Sequence, residues 1–339
     1  MTHVLVAGGG PVGLACAIEA RMAGCQATVV EPRVGIIDKA CGEGIMPGGV
    51  AALARLGVEP RGFPLRGVEY RDGRRAAQHR FAAGPALGVR RTTLHAALRD
   101  RAEQLGVRVV QGRVDAVAQD AGGVTAAGIR ADWLLGADGL HSTVARATGL
   151  HAGTPRPRRR YGLRRHFAIE PWSELIEVHW TPLGELYVTP TGDGVVGIAS
   201  LARRGVDFEE AIAAAPELAA RLRGAEPRSE LRGAGPFRQR TRARVVGRVL
   251  LVGDASGYVD ALTGEGIRIG VAQARAAVDA IGRNDPSSYE RAWREVTRDV
   301  RRLTGGLVRL AASPARGLVV PTASALPGVF AAAVERLAR

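Results

Sequence analysis

Cysteine is scarce. Cys16, Cys25 and Cys41 are the only three in 339 residues, odd in number and without a CxxC pair. This excludes a disulfide framework and a thiolate zinc site, and it predicts a reducing compartment, the cytoplasm. Aromatic residues make up 4% of the chain, too few for a platform on which single-stranded nucleic acid stacks. Lys39 is the only lysine and Asn284 the only asparagine, so arginine carries nearly all of the +14 net charge. That skew fits GC-rich coding better than a face selected for phosphate backbones, and no nucleic-acid partner is expected. No apolar run approaches the roughly twenty residues that span a bilayer. The opening MTHVLVAGGG lacks the basic, long apolar and small-residue regions of a signal peptide. The seven histidines show no HxxxH or HExxH spacing, so no metal is expected, and Ser256 stands outside any GxSxG elbow.

What remains is a globular chain, 46% hydrophobic and 24% charged, able to bury one large core or two moderate ones. Its start predicts a βαβ unit: a strand over Val4–Ala7, a helix over Pro11–Ala23 with proline in its first turn, and a strand over Ala27–Glu31. The first join reads Gly8-Gly9-Gly10-Pro11-Val12-Gly13, a GxGxxG. Glycines there permit the tight turn, the approach of a pyrophosphate to the backbone and close helix–strand packing, while the helix N-terminus supplies partial positive charge. Glu31, ending the second strand, is placed to accept the hydroxyls of an adenosine ribose. The bland alternative is a glycine-rich turn without ligand.

Two later segments repeat this logic. DWLLGADGLHSTVAR, residues 132–146, is an apolar strand running into Gly136-Ala137-Asp138-Gly139 and then a helix. Residues 247–281 give a strand, Gly253-Asp254, a loop, and Gly264-Glu265-Gly266 opening a long amphipathic helix. In order, the three segments resemble the dinucleotide fingerprint, the DG motif and the GD motif of FAD-dependent oxidoreductases related to the flavoprotein aromatic hydroxylases (class A monooxygenases) and geranylgeranyl reductases. The segment from Arg91, R-x-x-L-x-x-x-L, resembles one whose arginine contacts FAD, with Arg90 as the alternative contact; Thr92 or Thr93 is expected to cap its helix and Gly106 to stop it.

The resemblance implies an α/β fold, a Rossmann-like FAD-binding domain of the glutathione-reductase type with an inserted β-sheet substrate domain and C-terminal helices. The expected boundaries are 1–155 for the first part of the FAD domain, with a hairpin at 66–84 joining the substrate domain, 156–235 for that domain, 236–285 for the second FAD part and 286–339 for a helical end. It implies non-covalent FAD, held by Gly8, Gly10, Gly13, Glu31, Arg91, Asp138, Gly139, Gly253, Asp254, Gly264, Gly266 and Ile267. Asp254 would bond the ribityl chain, and the N–H groups near Gly266 and Ile267 would face the pyrimidine edge, where reduction collects negative charge. NAD(P)H is the expected donor, acting transiently because no second GxGxxG is present. Short strands and turns from about Tyr161 to Leu201 give the inserted sheet, and FEEAIAAAPELAARLR a following helix. Trp180, Tyr187 and Pro190 are the expected pocket residues for a hydrophobic small-molecule substrate.

The basic run Arg156–Arg165 is either a solvated edge or an attractor for an anionic cofactor or an anionic membrane surface. The loop Asp38–Pro47 contains Cys41-Gly42-Glu43-Gly44, which resembles the cysteine and glycines beside the flavin in geranylgeranyl reductases. Cys41 is there as a proton donor, as a flavin contact or as a residue small enough to fit. Where aromatic hydroxylases read GDAAH, a later proline and GxGxN, this chain has Gly257, Ala261 and Arg268. The first change resembles the reductases and the last resembles neither. No WxWxIP pattern is present, so halogenation is not expected. Two reactions stay open: monooxygenation of an aromatic or polyketide-like substrate, which family abundance favours, and saturation of an isoprenoid C=C. A flavin-binding protein without turnover is the third possibility.

Overall fold

The computed structural model describes residues 1–153 and 160–339. The chain opens with strand β1 (His3–Ala7), helix α1 (Pro11–Met22) and strand β2 (Gln26–Glu31). Helix α2 (Pro47–Arg55), the hairpin β3 (Gly67–Arg71) and β4 (Ala76–Arg80), helix α3 (Arg91–Gln104) and strands β5 (Arg108–Gln111) and β6 (Trp133–Gly136) follow. Four long strands come next: β7 (Arg160–Ala168), β8 (Leu175–Trp180), β9 (Gly184–Gly192) and β10 (Val195–Arg203). Strand β11 (Val249–Leu251) and helices α4 (Gly266–Gly282), α5 (Ser287–Ala311) and α6 (Pro327–Ala338) complete the main elements.

The first sheet runs β11, β6, β1, β2, β5, all parallel, with Val245–Val246 antiparallel on the β11 edge. A parallel sheet is covered on both faces, and its strands read as unbroken apolar runs; Val4, Leu5, Val6, Leu134, Leu135, Leu250 and Leu251 are wholly buried. Helices α1 and α4 pack on one face. Gly270 makes that contact possible, since a Cβ there would lie 2.3 Å from Val12 Cγ2. Three short strands (Val117–Asp120, Gly123–Ala126, Ile129–Ala131) form an antiparallel meander ahead of β6.

The second sheet runs Glu226–Pro227, β7, β10, β9, β8, β3, β4. The hairpin β3–β4 enters it through the parallel pair β3–β8, so chain from before α3 is sewn into a sheet formed mainly after β6. Helices Phe208–Ala213 and Pro216–Arg221 cover its outer face. A single helix was expected there; it breaks at Pro216, whose ring and missing N–H do not continue an α-helix. The C-terminal helices pack on β3 and β4, with Phe330 and Val334 in the same apolar cluster as Val68 and Trp180. No single helix among the described residues is long and apolar enough to cross a membrane.

Of the basic run, Arg156–Arg159 lie outside the described residues. Two arginines in the rest of it are not on a solvated edge. On β7 the inward positions alternate, and they include Arg160 and Arg164, both buried. Arg160 pairs with Glu185 and Asp260, and Arg164 with Asp38.

Candidate FAD site and substrate cavity

The turn from β1 into α1 is built by glycines with different tasks. Gly8 sits at φ +100°, and a Cβ there would come 2.7 Å from the Ala137 carbonyl oxygen. A Cβ on Gly13 would come 1.8 Å from the Gly8 oxygen, so that glycine lets helix meet strand. Gly10 is different: its Cβ direction is open, with only Arg91 Nη2 at 3.9 Å. As the N-cap of α1 it offers no side-chain cap, which leaves first-turn N–H groups free for an anion.

Glu31 ends β2. Its Oε2 accepts the Gly9 N–H at 2.7 Å, and its Oε1 accepts the Arg33 N–H (3.1 Å) and Nε–H (2.6 Å). Burial pushes the carboxyl up, but the Arg33 and Gly9 bonds outweigh this and hold it below the usual range. Arg33, which sequence reasoning passed over, therefore covers the oxygens expected to meet a ribose.

In the short helix Thr143–Ala147, whose N-cap is Ser142, Asp138 Oδ2 accepts the first-turn Thr143 N–H at 2.7 Å and Val144 N–H at 3.1 Å. Its Oδ1 is buried without a partner, and so is Arg91 Nε. The expected threonine cap of α3 is absent; Arg90 occupies the N-cap position, and Glu43 Oε1 accepts the Arg91 N–H at 2.8 Å. Asp254 follows β11 and stands half-buried at the cavity wall. Burial pushes its carboxyl up, opposed by the charges of Lys39 and Arg91. Gly253 (φ +65°) and Gly264 (φ +71°) take left-handed conformations, and Gly266 opens α4 with free space around it.

These groups line one cavity of about 690 Å³. Gly8, Gly10, Glu31, Arg91, Asp138, Gly139, Gly253, Asp254, Gly264, Gly266 and Ile267 are all on its wall, whereas Gly13 is packed behind the turn. Lys39 is on it too, a position its rarity alone did not reveal. The orphaned Asp138 Oδ1 and Arg91 Nε, with the open cradle at Gly10, are what a polar dinucleotide would complete. The residues present fit FAD.

Beyond this polar end the wall turns apolar, with Val68, Ile176, Val178, Leu201, Phe237 and Leu262. Tyr187 and Thr189 reach it, as i and i+2 on one face of β9. Pro190 is out of phase and does not; its carbonyl lies against Gly88. Trp180 is also outside, one layer back, its ring 5.5 Å from that of Tyr70, which does line the cavity. Cys41 borders the cavity half-buried, and its Sγ accepts the Glu43 N–H at 3.4 Å.

Comparison with known proteins agrees with this geometry. Residues 1–283 match the family model described as FAD binding domain. A menaquinone reductase of Mycolicibacterium smegmatis is 31% identical over 337 residues, covering 86% of this chain and 78% of that protein. A 6-methylpretetramide 4-monooxygenase of Streptomyces rimosus is 32% identical over 173 residues, 44% of this chain and 41% of that protein. Among solved structures, p-nitrophenol 4-monooxygenase from Pseudomonas putida superposes with a TM-score of 0.78 at 20% identity, covering 99% of this chain and 95% of that one. The flavin-dependent brominase Bmp2 superposes with a TM-score of 0.81 at 18% identity, over 99% and 94%. The chain belongs to the FAD binding domain family and is an FAD-dependent oxidoreductase.

Proposed function

We propose that this enzyme is a monooxygenase that hydroxylates a hydrophobic aromatic or polyketide-like molecule with NAD(P)H as electron donor. One observation carries the substrate class. Tyr70 and Tyr258 border the cavity, and neither hydroxyl has a hydrogen-bond partner among the described residues, whereas Tyr187 spends its hydroxyl on the Leu262 carbonyl at 2.8 Å. Burial pushes the Tyr70 phenol up to about 12, with Glu185 adding to the rise, and burial holds Tyr258 well above its ordinary value. Both stay protonated near neutrality and donate, so they suit a substrate that carries a phenolic or carbonyl oxygen into an otherwise apolar wall.

Gly10 and the N-terminus of α1 would hold the pyrophosphate of FAD, Arg91 would neutralise it, and Asp254 would accept from the ribityl chain. The N–H groups opening α4 would face the edge of the flavin that becomes negative. Bound FAD supplies acceptance of hydride from NAD(P)H and the activation of dioxygen. The apolar wall excludes water from the reacting end, which guards against wasteful side reactions.

A second reading, saturation of a substrate C=C, is favoured by Cys41. Its sulfur accepts the Glu43 N–H, which leaves its own S–H free to donate a proton. The likeness to a menaquinone reductase supports the same reading. Isotopes separate the two. With a phenolic polyketide as substrate, hydroxylation incorporates label from ¹⁸O₂ and survives Cys41→Ala. An anaerobic product with deuterium from D₂O, formed on the order of a hundredfold more slowly in Cys41→Ala, would establish reduction instead.

A further inference from the structure

We propose that Glu43 is a positioning residue that aims both the Cys41 turn and Arg91, and that only a carboxylate can do this. Glu43 is non-glycine at φ +60°, a left-handed conformation that a side chain keeps only when its surroundings enforce it. It is 3% exposed, between two glycines that would take that conformation freely.

Its partners supply the enforcement. Oε1 accepts the Arg91 N–H at 2.8 Å, and Oε2 meets His166 Nε2 at 2.5 Å on β7. The backbone of Glu43 is held as well: its carbonyl accepts Val89 N–H at 2.9 Å and its N–H donates to Cys41 Sγ. Thr189 of β9 donates to the neighbouring Gly42 carbonyl at 2.8 Å. One side chain thus ties the cysteine turn to the first residue of α3 and to the inserted sheet.

The tautomer of His166 follows from its other neighbours. Arg164 Nη1 lies 3.3 Å from His166 Nδ1, and a guanidinium only donates, so Nδ1 accepts. Ser229 Oγ lies 2.9 Å from the same nitrogen. The proton is therefore on Nε2, which donates to Glu43. Arg164 Nε, 3.9 Å from Glu43 Oε1, balances the carboxylate charge. Both partners of Glu43 are donors, so both of its oxygens must accept. Glutamine, nearly the same shape, satisfies one and points its NH₂ at the other, leaving two buried donors face to face.

The inference rests on the FAD reading only for what Arg91 serves, so the test reads the turn itself. Cys16 and Cys25 are buried, and Cys41 is the thiol open to labelling. In apoprotein and holoprotein alike, N-ethylmaleimide is expected to alkylate Cys41 about tenfold faster in Glu43→Gln than in the parent, with Cys16 and Cys25 unlabelled. FAD affinity should fall alongside. His166→Gln keeps a donor to the carboxylate and should stay within about twofold of the parent, a split that a general loss of stability would not produce. If Glu43→Gln does not fold, which labelling of Cys16 would reveal, His166→Leu removes one donor without touching the turn and should show the same faster alkylation. Parental alkylation rates in Glu43→Gln, or in His166→Leu where that variant stands in, would overturn the proposal. A protein that binds no FAD yet shows the labelling split would instead remove the flavin reading and leave this one standing.

Discussion

Gly10→Val is expected to give a folded, colourless protein. The Cβ direction at Gly10 is open, with Arg91 Nη2 at 3.9 Å its only neighbour, so the polypeptide itself accepts the side chain. The isopropyl group then stands where the pyrophosphate must meet the N-terminus of α1, and it removes both close approach and access to free N–H groups. Loss of about two hundredfold or more in FAD affinity is the expected result, equivalent to roughly 3 kcal/mol. Gly13 provides the contrast. Its Cβ would collide with the Gly8 oxygen at 1.8 Å, so Gly13→Val disrupts the turn itself. Circular dichroism with flavin absorbance distinguishes the two: Gly10→Val keeps secondary structure without flavin, and a yellow Gly10→Val protein would contradict the assignment of the cradle.

Arg160→Met is expected to produce the largest loss of stability. The guanidinium faces Glu185 and, at 3.3 Å, Asp260, whose side chains are only 1% and 3% exposed. Removing it leaves buried negative charge, with Arg316 at 3.0 Å from Glu185 as partial compensation. A cost of about 3–5 kcal/mol is expected in urea unfolding of the FAD-saturated protein at pH 8. The pH dependence has a definite sign. Burial raises both carboxyls above their ordinary values, and Arg160 is the main charge that lowers them. A carboxyl raised in the folded state contributes stability that is fully present below its unfolded pKa, near 4, and is lost as pH rises through the folded one. Methionine raises both further. The deficit of the variant should therefore shrink at pH 5 relative to pH 8. A deficit that stays flat or grows on acidification would show that the carboxylates are compensated elsewhere.

The parts of the site legible in the sequence are those whose reasons are local. GxGxxG needs only the turn between one strand and the next helix, and Asp138 and Asp254 stand at strand ends that apolar runs announce. The residues that escaped owe their roles to distant partners. Arg160 and Arg164 read as surface charge because their carboxylates, Asp260 and Asp38, lie 100 and 126 residues away. Glu43 carries no local signal of its role, and its partners Arg91 and His166 are 48 and 123 residues off. Trp180 and Pro190 were chosen for residue type. Strand phase excludes Pro190, packing depth excludes Trp180 behind Tyr70, and the phase of β9 puts Tyr187 and Thr189 on the wall. The hairpin at 66–84 was expected to join the inserted sheet, but the place of Tyr70 on the wall depends on the register of β3 against β8, more than a hundred residues later.

Release of the bound cofactor tests the central claim most directly. Purified protein should absorb near 450 nm, and denaturation should liberate FAD in a ratio close to one per chain, identified by chromatography against FMN and riboflavin standards. FMN in place of FAD, or a chain that stays colourless after incubation with FAD, would contradict the dinucleotide site built from Gly10, Arg91 and Asp254.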